Sequence, residues 1–104
     1  MNKILILVTG EPNKKNAKNL AKLLVKKKLA ACVSLKPIES VYEWKGKIEE
    51  SYEVELVIKS KPKLKNDLYL FLKKKTTYEV PQIISKIFNS EKKYTKWLNK
   101  SLTR

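Results

Sequence analysis

The chain has 104 residues, of which 42% are hydrophobic, and it carries a formal net charge of +14 at pH 7. This fits a single domain, 1–104, and excludes a disordered chain, while no apolar run reaches the roughly 20 residues that span a bilayer. The one cysteine excludes an internal disulfide framework, so we expect a cytoplasmic protein with no membrane partner.

The first third of the chain predicts a strand followed by a helix. The apolar run 3–9 is typical of a central strand covered on at least one face. Apolar residues at helical spacing then predict a helix over 14–29, with Asn13 as its N-cap. The apolar stripe of this helix consists of Ala17, Leu20, Ala21, Leu24 and Leu29.

Residues 30–60 predict one long antiparallel hairpin with its turn at Lys45-Gly46. The strand after the turn alternates strictly, and one of its faces carries Ile48, Glu50, Tyr52, Val54, Leu56 and Ile58. In the first strand the pattern slips after Pro37, which cannot donate to a ladder, so we expect a bend there. The part before Pro37 then lies in the sheet, and the part after it projects with unpaired edges that invite another subunit.

The remaining residues predict a helix, a strand and a terminal helix. Ser60 is expected to cap the first of these helices, with Pro62 in its first turn. Its buried stripe is Leu64, Leu68, Phe71 and Leu72. Residues 76–81 form a connector, 82–88 form the last strand, and Ser90 caps the terminal helix. The order β-α-β-β-α-β plus one helix is the ferredoxin-like topology of the α+β class.

The composition also restricts the chemistry. The absence of histidine removes the commonest neutral-pH acid–base group and excludes a Ser-His-Asp or Cys-His mechanism within this chain. Of the 24 Lys and Arg residues only Arg104 is arginine, the residue suited to bidentate recognition of bases and phosphates. The sequence therefore predicts no nucleic-acid partner beyond weak, salt-sensitive electrostatic attraction.

Three features are candidates for a site, each with a purely structural alternative. Cys32 is either a small core residue or a thiolate ligand for a soft metal such as Cu(I), and one thiolate needs further ligands from other chains. Six of the ten acids lie between Glu39 and Glu55; they form a charged surface, partners for a neighbour's lysines, or a weak divalent-cation or acid–base site. Trp44, beside the turn and far from any local core, favours a subunit interface.

Five segments of the chain resemble the CutA family of divalent-cation tolerance proteins. They are KLAACV at 28–33, SVYEWKGKI at 40–48, EVELVIK at 53–59, YEVPQI at 78–83 and YTKWL at 94–98. The likeness covers essentially the whole chain in family order. It implies a ferredoxin-like subunit and a homotrimer whose long hairpins pair between subunits. It also implies architectural kinship with PII signalling proteins and an association with tolerance of copper and other divalent metals, but no catalysis.

The resemblance also assigns residues. Cys32 takes the candidate metal-ligand role of the family's Ala-Ala-Cys motif. Thr76 and Thr77 stand where the family has His-Pro, and Thr9 or its neighbour stands where some members have a second cysteine, so weak binding of copper or another divalent metal is predicted. The residues expected around an intersubunit cleft are Tyr42, Trp44, Glu49, Lys59, Tyr78 and Glu79.

Two functions remain open from the sequence. The first is a trimeric protein of divalent-metal response that binds a metal or small ligand at a subunit boundary. The alternative is a PII-like sensor or scaffold whose intersubunit cleft binds a small anion through Lys59. An RNA-binding domain of the same topology would need an aromatic pattern that the central strands of this chain lack. An acylphosphatase-like enzyme would need an internal arginine, which this chain also lacks.

Overall fold

The structure is a computed structural model and describes residues 2–103, so Arg104 lies outside the described residues. The elements in chain order are β1 (Lys3–Glu11), α1 (Lys14–Lys26), β2 (Cys32–Trp44), β3 (Lys47–Ser60), a 3₁₀ turn (Pro62–Leu64), α2 (Lys65–Lys75), β4 (Ile84–Asn89) and α3 (Lys92–Ser101). The strands form one antiparallel sheet in the order β2-β3-β1-β4. The predicted α+β, ferredoxin-like topology is therefore confirmed.

Helices α1 and α2 cover one face of the sheet, which we call the helix face. The alternation of β1 and β3 turns four fully buried side chains towards these helices: Leu5, Leu7, Leu56 and Ile58. The opposite face, here called the open face, is covered at one end by α3, whose Leu98 and Leu102 pack against Ile4. The N-terminal strand is thus central, as its apolar run predicts.

Helix α1 begins as predicted and ends earlier. The Asn13 side chain accepts a hydrogen bond from the Asn16 amide at 2.8 Å, which confirms the predicted N-cap. The helix ends at Lys26 because Lys28 adopts a positive φ of 62°. The amides of the next two residues then both donate to the Leu24 carbonyl, which satisfies one of the orphan carbonyls and directs the chain into β2.

The β2–β3 hairpin closes through the predicted two-residue turn. Lys45 and Gly46 have φ values of 53° and 82°, as a type I′ turn requires. The pairs run without a break through Pro37, so β2 is not interrupted there. At this position the hairpin loses its third strand. β1 ends where Glu11 pairs with Val54, which is also the partner of Pro37.

The end of β1 divides the hairpin into two parts. The proximal hairpin, residues 32–37 and 54–60, belongs to the four-stranded sheet. The distal hairpin, residues 38–53, consists of β2 and β3 paired only with each other within the described chain. The domain consequently measures 45 × 24 × 22 Å, and the predicted division into a sheet part and a projecting part is confirmed.

Two predicted helix caps are wrong. Ser60 is fully buried, and its hydroxyl donates to the Leu29 carbonyl at 2.7 Å. This bond ties the α1–β2 junction to β3 and leaves Ser60 no role as a cap. At α3 the cap is Glu91 and not Ser90, because the Glu91 carboxylate accepts from two first-turn amides at 2.9 and 3.1 Å, where a negative charge also suits the helix dipole.

The last strand begins two residues later than predicted. β4 starts at Ile84, which pairs with Val8, while Ile83 packs against the main core instead of continuing the ladder. The buried stripe of α2 is confirmed at Leu68 and Leu72. No helix in residues 2–103 is both long and apolar enough to cross a membrane.

Candidate functional site

A cleft of ≈ 580 Å³ lies beside the distal hairpin on the open face, where three segments meet. The end of β1, the distal hairpin and the α2–β4 connector each contribute side chains. The residues that line it are Gly10, Ser40, Val41, Tyr42, Trp44, Glu53, Thr77, Tyr78, Glu79, Val80 and Gln82. We refer to this feature as the cleft.

A hydrogen bond between Tyr78 and Glu53 holds the connector against the hairpin. The Tyr78 hydroxyl donates to Oε1 of Glu53 at 3.1 Å. Gly10 lies beside this pair, since a methyl group at that position would be in van der Waals contact with the same carboxylate oxygen at 3.4 Å. Two residues that are 25 positions apart in the chain are thereby fixed in one site.

The surroundings of Tyr78 keep its hydroxyl protonated. Burial raises the pKa of Tyr78 above its ordinary value, and the hydrogen bond to Glu53 and the negative charge of that carboxylate raise it further. Smaller contributions come from Glu11 and Tyr42. At neutral pH the phenol is therefore a hydrogen-bond donor, which positions Glu53 and leaves the second carboxylate oxygen for another partner.

Glu11 lies next to this pair, at the last position of β1. It is only 4% exposed, and burial raises the pKa of its carboxyl. Within residues 2–103 its carboxylate makes no hydrogen bond or ion pair. Burial disfavours the charged form of a carboxyl, so Glu11 holds its proton more tightly than an exposed glutamate would.

Four of the six predicted cleft residues line the cleft within one chain: Tyr42, Trp44, Tyr78 and Glu79. Glu49 pairs with Tyr42 across the hairpin and shares its face, although it does not line the cleft. Lys59 lies elsewhere: it pairs with Cys32, and its ammonium group donates to the Ser34 hydroxyl. Within one subunit, the structure therefore separates Lys59 from the other five.

Cys32 lies at the opposite end of β2 from the cleft and is partly exposed. It is close to Tyr94 of α3, whose pKa is raised by burial and then by the Cys32 thiol. Among the described residues no three His, Cys, Asp or Glu side chains are grouped so that they could hold a metal ion. One subunit therefore does not offer a donor set that fits a resident copper ion at Cys32.

Sequence reasoning missed Gly10 and Glu11 as site residues and treated Glu53 only as one member of an acidic run. The available signals were weak: a strand-ending Gly-Glu pair, and the alternation that turns Glu53 to the open face. Neither signal could indicate that Tyr78 would reach Glu53, because their contact depends on how the connector folds back over the sheet.

The charge of the cleft differs from the charge of the protein. Two carboxylates, Glu53 and Glu79, line it, and no lysine is among its lining residues within 2–103. In a chain with a net charge of +14 this is a local reversal of sign. The lining thus presents carboxylates to a ligand, with the Lys45 ammonium nearby, 5.7 Å from the centroid of the Trp44 ring.

Comparison with known proteins gives consistent results. The family model described as CutA1 divalent ion tolerance protein matches residues 4–101. A divalent-cation tolerance protein CutA of Yersinia pestis (strain Pestoides F) is 39% identical over 103 residues, which cover 97% of this chain and 86% of the relative.

Solved structures agree in fold. CutA from Synechococcus elongatus PCC7942 superposes with a TM-score of 0.95 at 30% identity, covering 99% of this chain and 93% of the other. The protein of Archaeoglobus fulgidus described as a periplasmic divalent cation tolerance protein CutA gives 0.91 at 29% identity, covering 96% and 99%. The chain is thus similar along nearly its full length to these proteins.

Proposed function

Because this chain belongs to the CutA1 divalent ion tolerance protein family, we propose that it acts in the response to divalent metal ions by binding a cation in the cleft. The family is named for tolerance of divalent ions and not for a catalysed reaction. The observation that carries the proposal is the reversed charge of the cleft, with Glu53 and Glu79 and no lysine among its described lining. Carboxylate oxygens are the ligands that hard divalent cations prefer.

The proposal places the complete cation site at a subunit boundary. Two carboxylates are too few for a closed site, and no described group of three or more metal-ligating side chains exists within one chain. The distal hairpin offers the boundary, since Val41, Ile48 and Tyr52 are exposed on strand segments that pair with no further strand of residues 2–103. Exposed apolar residues on open strand edges favour association, and we propose a homotrimer whose hairpins pair between subunits.

Light scattering tests the assembly. The native protein should have a mass near three chains, and Ile48→Lys should lower it because a charge then replaces a large side chain on the distal hairpin. The matched control is Leu70→Lys on α2, since Leu70 and Ile48 are 69% and 71% exposed. A native protein that stays monomeric at micromolar concentration, or an equal effect of both variants, contradicts the assembly.

Calorimetric titration tests the cation site. With Mn²⁺ as the probe, weak binding is expected, and Glu53→Gln should weaken it about tenfold. Tyr78→Phe is the matched control, because it removes the 3.1 Å hydrogen bond and keeps the carboxylate. Binding that is unchanged in Glu53→Gln refutes the role of the cleft.

Copper requires a separate titration, because its proposed ligand is the thiol of Cys32, which is a softer donor than a carboxylate. The proposed contribution of Cys32 predicts weak copper binding that is reduced further in Cys32→Ser. Tight copper binding that is unchanged in this variant refutes the assignment.

The PII-like alternative has less support. Its anion was expected to bind through Lys59, which pairs with Cys32 and does not line the cleft. The cytoplasmic location stays a prediction, since the Archaeoglobus fulgidus relative is described as periplasmic.

A further inference from the structure

Helix α1 carries a ridge of lysines that the cation proposal does not use. Successive members are one helical turn apart, and all are exposed; the lysine ridge consists of Lys14, Lys18, Lys22 and Lys26. Each step of four residues advances the helix by about 6 Å, so the ridge is about 18 Å long. The ridge runs obliquely along α1, because each step of four residues turns about 40° around the helix axis. Three of its members, Lys18, Lys22 and Lys26, border Val33 and Leu35 of β2.

The charge of the lysine ridge is not compensated. No acidic residue occurs between Glu11 and Glu39, and the neighbouring helix adds exposed lysines at 73–75. Setting Lys27 aside, no lysine within residues 2–103 forms an ion pair with a carboxylate. Six of the ten acids lie in residues 39–55, so positive charge concentrates on the helix face and negative charge on the hairpin.

We propose that the lysine ridge docks the phosphate backbone of duplex nucleic acid without preference for sequence. One strand of a duplex presents a phosphate about every 3.4 Å along the axis, so a ridge of about 18 Å faces roughly five of them. A lysine ammonium contacts phosphate as a point charge and needs no bidentate geometry. Contacts of this kind position a duplex but read no bases.

The surroundings of the ridge favour a duplex over a single strand or a bilayer. Single strands are held mainly by base stacking on aromatic residues, and bilayer surfaces by aromatic and aliphatic insertion. The exposed tryptophans, Trp44 and Trp97, lie on the hairpin and on α3. Among the described residues beside the ridge, the exposed large aliphatic ones are Val25 on α1 and Leu35 on β2.

Fluorescence anisotropy with a labelled duplex of mixed sequence tests the proposal across a range of salt concentrations. The variant carries Lys→Gln at all four ridge positions, and glutamine keeps a helix propensity similar to that of lysine. Its affinity at low salt should fall about tenfold or more. The slope of log K against log salt should decrease by about three to four, since each lost phosphate contact removes about 0.9.

A charge-matched variant separates the ridge from net charge alone. It carries Lys→Gln at four exposed positions on the hairpin turn and on α3: Lys47, Lys92, Lys93 and Lys96. This variant should keep most of the affinity and of the slope. Equal losses in the two variants overturn the proposal, as does a duplex affinity that the ridge variant leaves unchanged.

A last measurement tests binding of the protein to vesicles of phosphatidylserine and phosphatidylcholine. Binding to these vesicles that depends on the ridge, with no binding to the duplex, overturns the proposal in favour of a bilayer. The cation proposal is tested separately, because the ridge lies on the helix face and the cleft on the open face.

Discussion

The proximal and distal parts of the β2–β3 hairpin belong to the same two strands and differ sharply in burial. Leu56 and Ile58 in the proximal part are 0% exposed, whereas Ile48 and Tyr52 in the distal part are 71% and 79% exposed. All four side chains lie on the same face of β3 by its alternation. The difference begins at Val54, which is the residue of β3 nearest to the turn that still pairs with β1, at Glu11.

This difference shows what a period-two pattern specifies. Alternation determines which side chains share a face, and it does so equally in both parts. Whether that face is buried depends on the helices and the third strand beyond it, which are remote in sequence. The distal part leaves Val41, Ile48 and Tyr52 exposed on a face that also carries glutamates, and the proposed trimer would cover these side chains.

The largest effect is expected from truncating the proximal face. Leu56→Ala removes a fully buried side chain and should lower the free energy of unfolding by about 2–5 kcal/mol, measured by denaturant unfolding. The loss should be present at every protein concentration. Ile48→Ala is the distal counterpart, and its cost should disappear on dilution as subunits separate. If the loss of unfolding free energy in Ile48→Ala does not change with protein concentration, the proposed difference between the two parts of the hairpin is contradicted.

A smaller effect is expected at the tip of the distal part. Gly46 has a φ of 82°, so Gly46→Ala forces an alanine into the left-handed region at a cost of about 1–2 kcal/mol. Lys45→Gly is the control, because Lys45 already has a positive φ and glycine relieves that strain. Thermal unfolding of both variants measures the difference, and equal midpoints would mean that the turn does not limit stability.

The smallest effect is expected at Glu11, on the boundary between the two parts. Burial raises the pKa of its carboxyl in the fold, so the folded chain binds the proton more tightly than the unfolded chain. Its contribution to stability is complete below the ordinary carboxyl pKa and is lost as the pH rises through the raised pKa. Glu11→Gln should therefore add about 1 kcal/mol at neutral pH and nothing in acid.

The free energy of unfolding, measured as a function of pH, tests the direction of this effect. Glu39→Gln on the exposed distal hairpin is the control for the lost charge. A gain in Glu11→Gln that persists unchanged at low pH contradicts the explanation by burial.

Features decided within a few residues could be predicted from the sequence. The Asn13 cap and the Lys45-Gly46 turn follow from local backbone requirements, and both are confirmed. The Ser60 cap failed because its hydroxyl reaches the Leu29 carbonyl, 31 positions away in the chain. A serine before a helix looks the same in the sequence whether its partner is local or remote.

The cleft could be predicted only through the family resemblance. The motifs that carry the resemblance predict Tyr42, Trp44, Tyr78 and Glu79 as cleft residues. The structure brings these four side chains together. The contact of Tyr78 with Glu53 depends on the path of the connector, which no spacing specifies.

The central position of β1 has a consequence for how the chain is made. Val8 pairs with Val57, and Leu5 pairs with Ile87, so both neighbours of β1 are synthesised about fifty to eighty residues after it. At about 5–20 residues per second, an apolar strand with two open edges waits several seconds on the ribosome. The lysines of α1 emerge next and place charge beside this apolar strand, as gatekeeper residues do beside hydrophobic strands.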